Sequence, residues 1–225
     1  MTLLIETMSN DHAMLTADGL SIPNRTTGAG INRDDLQKIF PLSNVPIAIA
    51  HHGINLIDGC EVSQLISEFE KSLGQGLSQY SVPTIAKNLR AYTDLAAKST
   101  LANPANEGCI GFWVTGFAQN NMKPLFYEVL WPNEPSVVEH YDAVFGGGGK
   151  KFIERYLNNR LGKFDLRQAH GFKRVYAGYC HDALYREAEA AQRRAGERIF
   201  GGHQHRLLIR KGGCQWLKSP KAAIP

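Results

Sequence analysis

Val62, Leu65, Ile66, Phe69 and Leu73 recur at steps of three and four, with Glu61, Glu68, Glu70 and Lys71 among the polar positions. A helix with a single apolar stripe must bury that stripe on a flat neighbour and leave its other side in water. A second helical stretch is predicted from about Pro83 to Ala97, with the proline suited to a first turn. Such helices call for a sheet, and the segments around them have the period of strands.

Residues 2 to 8 and 12 to 18 are two strand-tolerant runs around the turn-rich Ser9-Asn10-Asp11, and read as a hairpin. Lys38 to Leu42 and Val45 to Ala50 read as two further strands, their prolines pointing to edges or strand ends. Beyond the helices, Cys109 to Phe117 and Pro124 to Leu130 read as strands joined through Asn120-Asn121. A glycine run, Gly146 to Gly149, then precedes a helix from near Lys150. The next helix, Asp182 to about Arg198, places Leu184, Ala188, Ala191 and Ala195 on one side, small enough for close approach to a layer beneath. Strands return at His203 to Arg210 and Cys214 to Leu217, around Gly212-Gly213. Strands, two helices, strands, two helices, strands is the order of an α+β chain folded as a four-layer αββα sandwich, two antiparallel sheets flanked by helices. Neither repeat nor low-complexity linker interrupts residues 1–225, so one domain is expected, with a loose tail from about Ser219.

Composition removes several classes. No window approaches the run of roughly 18 apolar residues that a bilayer-spanning helix needs. The opening Met1-Thr2-Leu3-Leu4-Ile5-Glu6 lacks the cationic start of a secretory signal, so a cytoplasmic chain is expected. Cys60, Cys109, Cys180 and Cys214 lie far apart, which argues against a zinc ribbon or a disulfide scaffold and for reduced, mostly buried thiols. Residues 1–145 carry 8 basic and 15 acidic side chains, whereas residues 146–225 carry 17 basic and 6 acidic ones. That cationic third would suit RNA or DNA, but it has no accompanying recognition motif, and mutual neutralisation of the two halves explains it more simply.

Other signals have competing readings. The four glycines ahead of Lys150-Lys151 would attract an anion, yet they lack the GxxxxGK[ST] spacing, and a close crossing of the turn fits better. His203 and His205, with His51-His52 or Cys180-His181, would supply metal ligands, but nothing fixes a third ligand; surface histidines on a basic strand are the plainer reading, and no metal or cofactor is expected. Cys180 beside His181 has neither an orienting acid nor an oxyanion loop. Phe112, Trp113, Phe117, Phe126, Tyr127 and Trp131 read as core and interface packing.

The local evidence with most chemical content is Thr2, then Leu15-Thr16-Ala17-Asp18, then Lys38-Ile39, then the small residues after Ile49-Ala50, with Phe200-Gly201-Gly202 near the end. In this order and over nearly the whole chain, the sequence resembles the proteasome β-subunit family of N-terminal-nucleophile hydrolases, including bacterial proteasome-related peptidases. The resemblance implies that Thr2, exposed by loss of Met1, is the nucleophile, that Lys38 is the cation beside it and that Asp18 holds Lys38. Arg33 is a rival for the cationic role, but its guanidinium cannot usefully exchange protons. An α-amine with a reference pKa of about 7.7–8.0 can take the proton of its own hydroxyl near neutral pH, so nucleophile and base share one residue. The resemblance also assigns the oxyanion donor to the backbone N–H of His51, in the turn Ala50-His51-His52-Gly53, where the two rings would be extra donors or selectors of acidic substrate groups. Accessory roles fall on Gly147, where the family has a serine, and on Glu197, where it has an acid. Implied partners are peptide substrates, further copies of the chain in a ring or other homo-oligomer, and an ATPase. A catalytically impaired structural or binding member, with Gly147 and Phe200 at decayed positions, is the second reading. A nucleic-acid-binding protein is the third.

Overall fold

The computed structural model describes residues 2–22, 32–57, 59–97, 109–118, 123–132, 137–140, 144–146 and 174–220. In chain order the strands are β1 (Leu4–Met8), β2 (Ala13–Ala17), β3 (Ile39–Pro41), β4 (Ile47–Gly53), β5 (Leu56–Ile57) and β6 (Cys60–Glu61). They continue as β7 (Ile110–Gly116), β8 (Leu125–Trp131), β9 (Val137–His140), β10 (Val144–Gly146), β11 (His205–Arg210) and β12 (Gly213–Lys218). The helices are α1 (Val62–Leu73), α2 (Val82–Ala96) and α3 (Arg174–Arg194), with a 3-10 turn at Gly74–Gln79.

Two five-stranded antiparallel sheets result, one ordered β10-β1-β2-β11-β12 and the other β3-β4-β7-β8-β9. The opening hairpin forms as its turn residues predict, with Leu4 opposite Ala17 and Met8 opposite Ala13. Ser9 Oγ closes its turn on Asp11 Oδ1 at 2.7 Å. The helix stripe is also as predicted: Val62, Leu65, Ile66, Phe69 and Leu73 are the buried residues of α1. They pack with Val82, Ile85 and Leu89 of α2 onto Ile47, Ile49, Phe112 and Val114 of the second sheet. Alternate residues of the same strands face the other way. Ala48, Ala50 and Trp113 join Leu4, Leu15, Leu207 and Ile209 of the first sheet in one cluster between the sheets. Leu184, Tyr185 and Ala188 of α3 cover Leu3 and Ile5 on the far face of the first sheet.

Several boundaries differ from the sequence reading. The third helix begins at Arg174 and stops at Arg194, not near Arg198. Gly196 at φ 67° supplies the left-handed conformation that ends it, leaving Ala195 exposed instead of on the packed side. The final turn is centred on Lys211-Gly212, so Gly213 opens β12. Cys109 is exposed and Cys60 and Cys214 are half-buried, because they sit at strand ends and on an outer strand. Asn120-Asn121, most of the glycine run and the helix expected near Lys150 lie outside the described residues.

A fully buried acid, Glu6, lies in the space between the sheets. It accepts a hydrogen bond from Thr115 Oγ1 at 2.5 Å through Oε1, and has no partner for Oε2 among the described residues. Burial pushes its carboxyl up to about 8 from 4.5, against the smaller opposing effect of Thr115. A carboxyl raised on folding contributes stability that is complete below the unfolded value and is lost as pH climbs through the folded one. Between pH 5 and 8 the wild-type chain is therefore expected to lose roughly 2–4 kcal/mol relative to Glu6→Gln, as read from urea denaturation at each pH. Parallel pH profiles for the two proteins would overturn that assignment.

Candidate active site

Asp18 follows directly on β2 and is fully buried. Its Oδ1 accepts the N–H of Leu3 at 2.8 Å and the ammonium of Lys38 at 3.0 Å. Its Oδ2 accepts the N–H groups of Leu20 at 3.1 Å and Gly201 at 3.0 Å. Four donors from four parts of the chain thus converge on one carboxylate. The Gly201-Gly202 turn is shaped for this approach. The Gly201 carbonyl takes the N–H groups of Gly19 and Leu20 at 3.0 and 2.9 Å. Gly202 has φ 70°, and a methyl group there would lie 2.2 Å from the Asp34 carbonyl oxygen. Only glycine satisfies both constraints.

Lys38 stands one residue before β3 and is fully buried. It donates to Asp18 and, at 2.6 Å, to the Leu20 carbonyl. Two of its three N–H donors are used in this way, and the third has no partner among the described residues. Burial holds its pKa below the ordinary lysine range, and Asp18 opposes that fall through its charge and hydrogen bond. Thr2 is also buried, at 1% exposure. It immediately precedes Leu3, whose N–H rests on Asp18, and its hydroxyl makes no hydrogen bond to any described residue. Among the predicted residues, then, Asp18 and Lys38 are in contact, and Thr2 lies one peptide from the carboxylate that joins them.

Other assignments need correction. The N–H of His51, expected to face an oxyanion, donates to the Lys38 carbonyl at 3.0 Å because it continues the β3–β4 ladder. What His51 brings near Lys38 is its ring, stacked on Phe40 with centroids 6.0 Å apart. Burial, with Lys38 and then His52 adding to it, pushes that ring down to about 3, so it is neutral. Its Nδ1 has no partner among the described residues. Glu197 is exposed beyond the end of α3, and the last donor to Asp18 comes from the Gly201 N–H. Gly147 lies outside the described residues. His205 is not a surface histidine. It is fully buried, bonds the Leu36 carbonyl through Nε2 at 2.9 Å, and is pushed down to about 4 chiefly by burial. His203 contacts it at a ring separation of 5.2 Å and turns its own Nε2 to the Ser219 carbonyl. Among the described residues, no three His, Cys, Asp or Glu groups are placed to hold a metal ion.

A second buried network escaped the sequence reading. His181 of α3 is bonded at Nε2 by Thr7 at 2.9 Å and at Nδ1 by Thr16 at 2.7 Å. Arg206 donates to Thr16 at 3.0 Å and to Asp182 at 2.7 Å. The Arg206 hydrogen bond is the main reason the Asp182 carboxyl falls to about 2, and burial takes His181 to about 3. Both ring nitrogens have partners, so His181 is bound into the packing of α3 on the first sheet. No single segment carries a signal for it, because Thr7, Thr16 and Arg206 come from three different strands.

The two sides of the Asp18–Lys38 contact differ in what their loss leaves behind. Removing Lys38 leaves Asp18 with three backbone donors. Removing Asp18 leaves a buried ammonium with one carbonyl. Asp18→Ala is therefore expected to cost about 3–5 kcal/mol in chemical denaturation and Lys38→Met clearly less; an equal loss from both would show that the backbone donors do not sustain the carboxylate alone. The sequence matches no protein-family model and no curated protein, so the functional reading rests on these residues.

Proposed function

We propose that the chain is an N-terminal-threonine amidohydrolase of peptidase type, in which Thr2 attacks after Met1 has been removed. The observation that carries this reading is the sharing of Asp18 Oδ1 between the Leu3 N–H and the Lys38 ammonium. It fixes a cation beside the backbone that begins at Thr2. A nearby cation favours the neutral form of a free α-amine and the ionised form of a hydroxyl, and both changes assist attack. The α-amine takes the hydroxyl proton, Oγ1 adds to the amide carbon, and the departing amine takes the proton as the ester forms. Water then hydrolyses the ester. The unpartnered third N–H of Lys38 is the donor available to the developing charge.

The arrangement of two antiparallel sheets with helices outside supports the four-layer αββα sandwich of the N-terminal-nucleophile hydrolases. With that fold goes assembly into a ring or other homo-oligomer in the cytoplasm, acting on peptides. One observation favours the impaired-member reading. Thr2, Asp18 and Lys38 are all closed to solvent, so a substrate requires the chain around Thr2 to open.

Intact mass and peptide hydrolysis distinguish the two readings. The active enzyme is expected to lack Met1, to lose turnover at least about 100-fold in Thr2→Ala and in Lys38→Met, and to keep measurable turnover in Thr2→Ser. A chain that retains Met1 and cleaves nothing is the structural member. A Thr2→Ala chain that hydrolyses at the wild-type rate has another nucleophile.

A further inference from the structure

Tyr185 is a buried residue of α3 whose ring packs with Leu3 and Ile5 of the first sheet. It meets the Phe200 ring edge-on, with centroids 6.0 Å apart. Its hydroxyl is closed to solvent and makes no hydrogen bond to any described residue. Four residues earlier on the same helix, His181 has a partner at each ring nitrogen. A phenol that only filled space would do so better as phenylalanine, because a buried O–H left without a partner costs free energy. Packing explains the ring of Tyr185 and leaves its oxygen unexplained.

Both neighbours of the ring lead to Asp18. The N–H of Leu3 rests on Asp18 Oδ1 at 2.8 Å, and Phe200 is followed by Gly201, whose N–H rests on Oδ2 at 3.0 Å. The phenol is therefore packed against two of the segments that deliver donors to this carboxylate, and a single peptide joins the first of them to Thr2. The charge of Asp18 reaches the phenol. Burial, then Asp18 and then Glu189, raises the pKa of Tyr185 above the ordinary tyrosine range, so the hydroxyl keeps its proton and the group is neutral.

We propose that Tyr185 is a positioning residue for the attack by Thr2: its phenolic oxygen accepts an N–H of the α-amine that loss of Met1 creates, and so leaves the amine lone pair turned to Oγ1. While Met1 is attached, the Thr2 nitrogen belongs to a planar peptide with one N–H of fixed direction. A free amine turns about its bond to Cα, and it takes the hydroxyl proton only when its lone pair faces that hydroxyl. An acceptor for its N–H groups fixes that orientation. A second carboxylate would fix it too, but its charge would favour the ammonium form, which has no lone pair; a neutral phenol holds the amine without that charge.

The inference rests on the Thr2 reading, and the two fail in different proteins. Tyr185→Phe removes the oxygen alone. In urea this variant is expected to be at least as stable as wild type, because no hydrogen bond is lost. Acylation of Thr2 by a β-lactone, followed by intact mass, is expected to slow at least about tenfold, and kcat for a peptide amide to fall with KM unchanged. An acylation rate that Tyr185→Phe leaves unchanged, in a background where the wild-type chain lacks Met1 and is acylated, overturns the inference and leaves the Thr2 reading standing. So does a slower rate accompanied by a lower urea midpoint, which marks the hydroxyl as part of the packing. The Thr2 reading fails instead with Tyr185 intact, in a wild-type chain that retains Met1 or takes no β-lactone, or in a Thr2→Ala chain that is acylated at the wild-type rate. Tyr185 then has no amine to hold, and the inference falls with it.

Discussion

One buried carboxylate holds four segments together. Asp18 takes donors from the start of β1, the stretch before β3, its own following turn and the glycine turn beyond α3. The N–H groups of Leu3 and Gly201 would lose their acceptor if the carboxylate left, and an unsatisfied buried donor costs about 1–3 kcal/mol. The two sheets cohere elsewhere through apolar contact, which is not directional. Here the contact is directional, and it fixes where Thr2 starts relative to Lys38.

Between the sheets the same economy of polar groups recurs. Glu6 has a single hydroxyl donor, and Glu128 accepts the indole N–H of Trp113. They differ in access to water. Glu6 is sealed and so is held neutral up to about pH 8, whereas Glu128 keeps part of its surface. The first acts on stability, because a proton is its only means of avoiding a buried charge.

What was legible in the sequence was local. The stripe of α1 is a pattern within 12 residues, and the opening hairpin declares itself through Ser9, Asn10 and Asp11. The pairing of Asp18 with Lys38 was legible through resemblance, since 20 residues separate them and no periodicity joins them. Illegible features all required a second segment. Strand β10, only three residues long, exists through its ladder with β1. His181 joins Thr7 and Thr16 across 174 and 165 positions. The backbone role expected of His51 failed for a related reason. A residue type says nothing of whether its N–H is already engaged, and the β3–β4 ladder extends far enough to engage it.

The unequal support on the two sides of the central ion pair bears on how the site can act. A lysine that supplied the sole partner of a buried acid could not shift during a reaction without stranding a charge. Asp18 retains three backbone donors whatever Lys38 does, so the carboxylate remains a fixed anion and the ammonium is free to redirect. Lys38 holds a carbonyl with one N–H, the acid with another, and keeps a third unengaged among the described residues. Burial lowers its affinity for the proton while Asp18 preserves it, which leaves a cation readier to share its charge than a solvated lysine. The anchoring of Asp18 is carried by its backbone donors, and Lys38 is thereby relieved of sustaining the carboxylate alone.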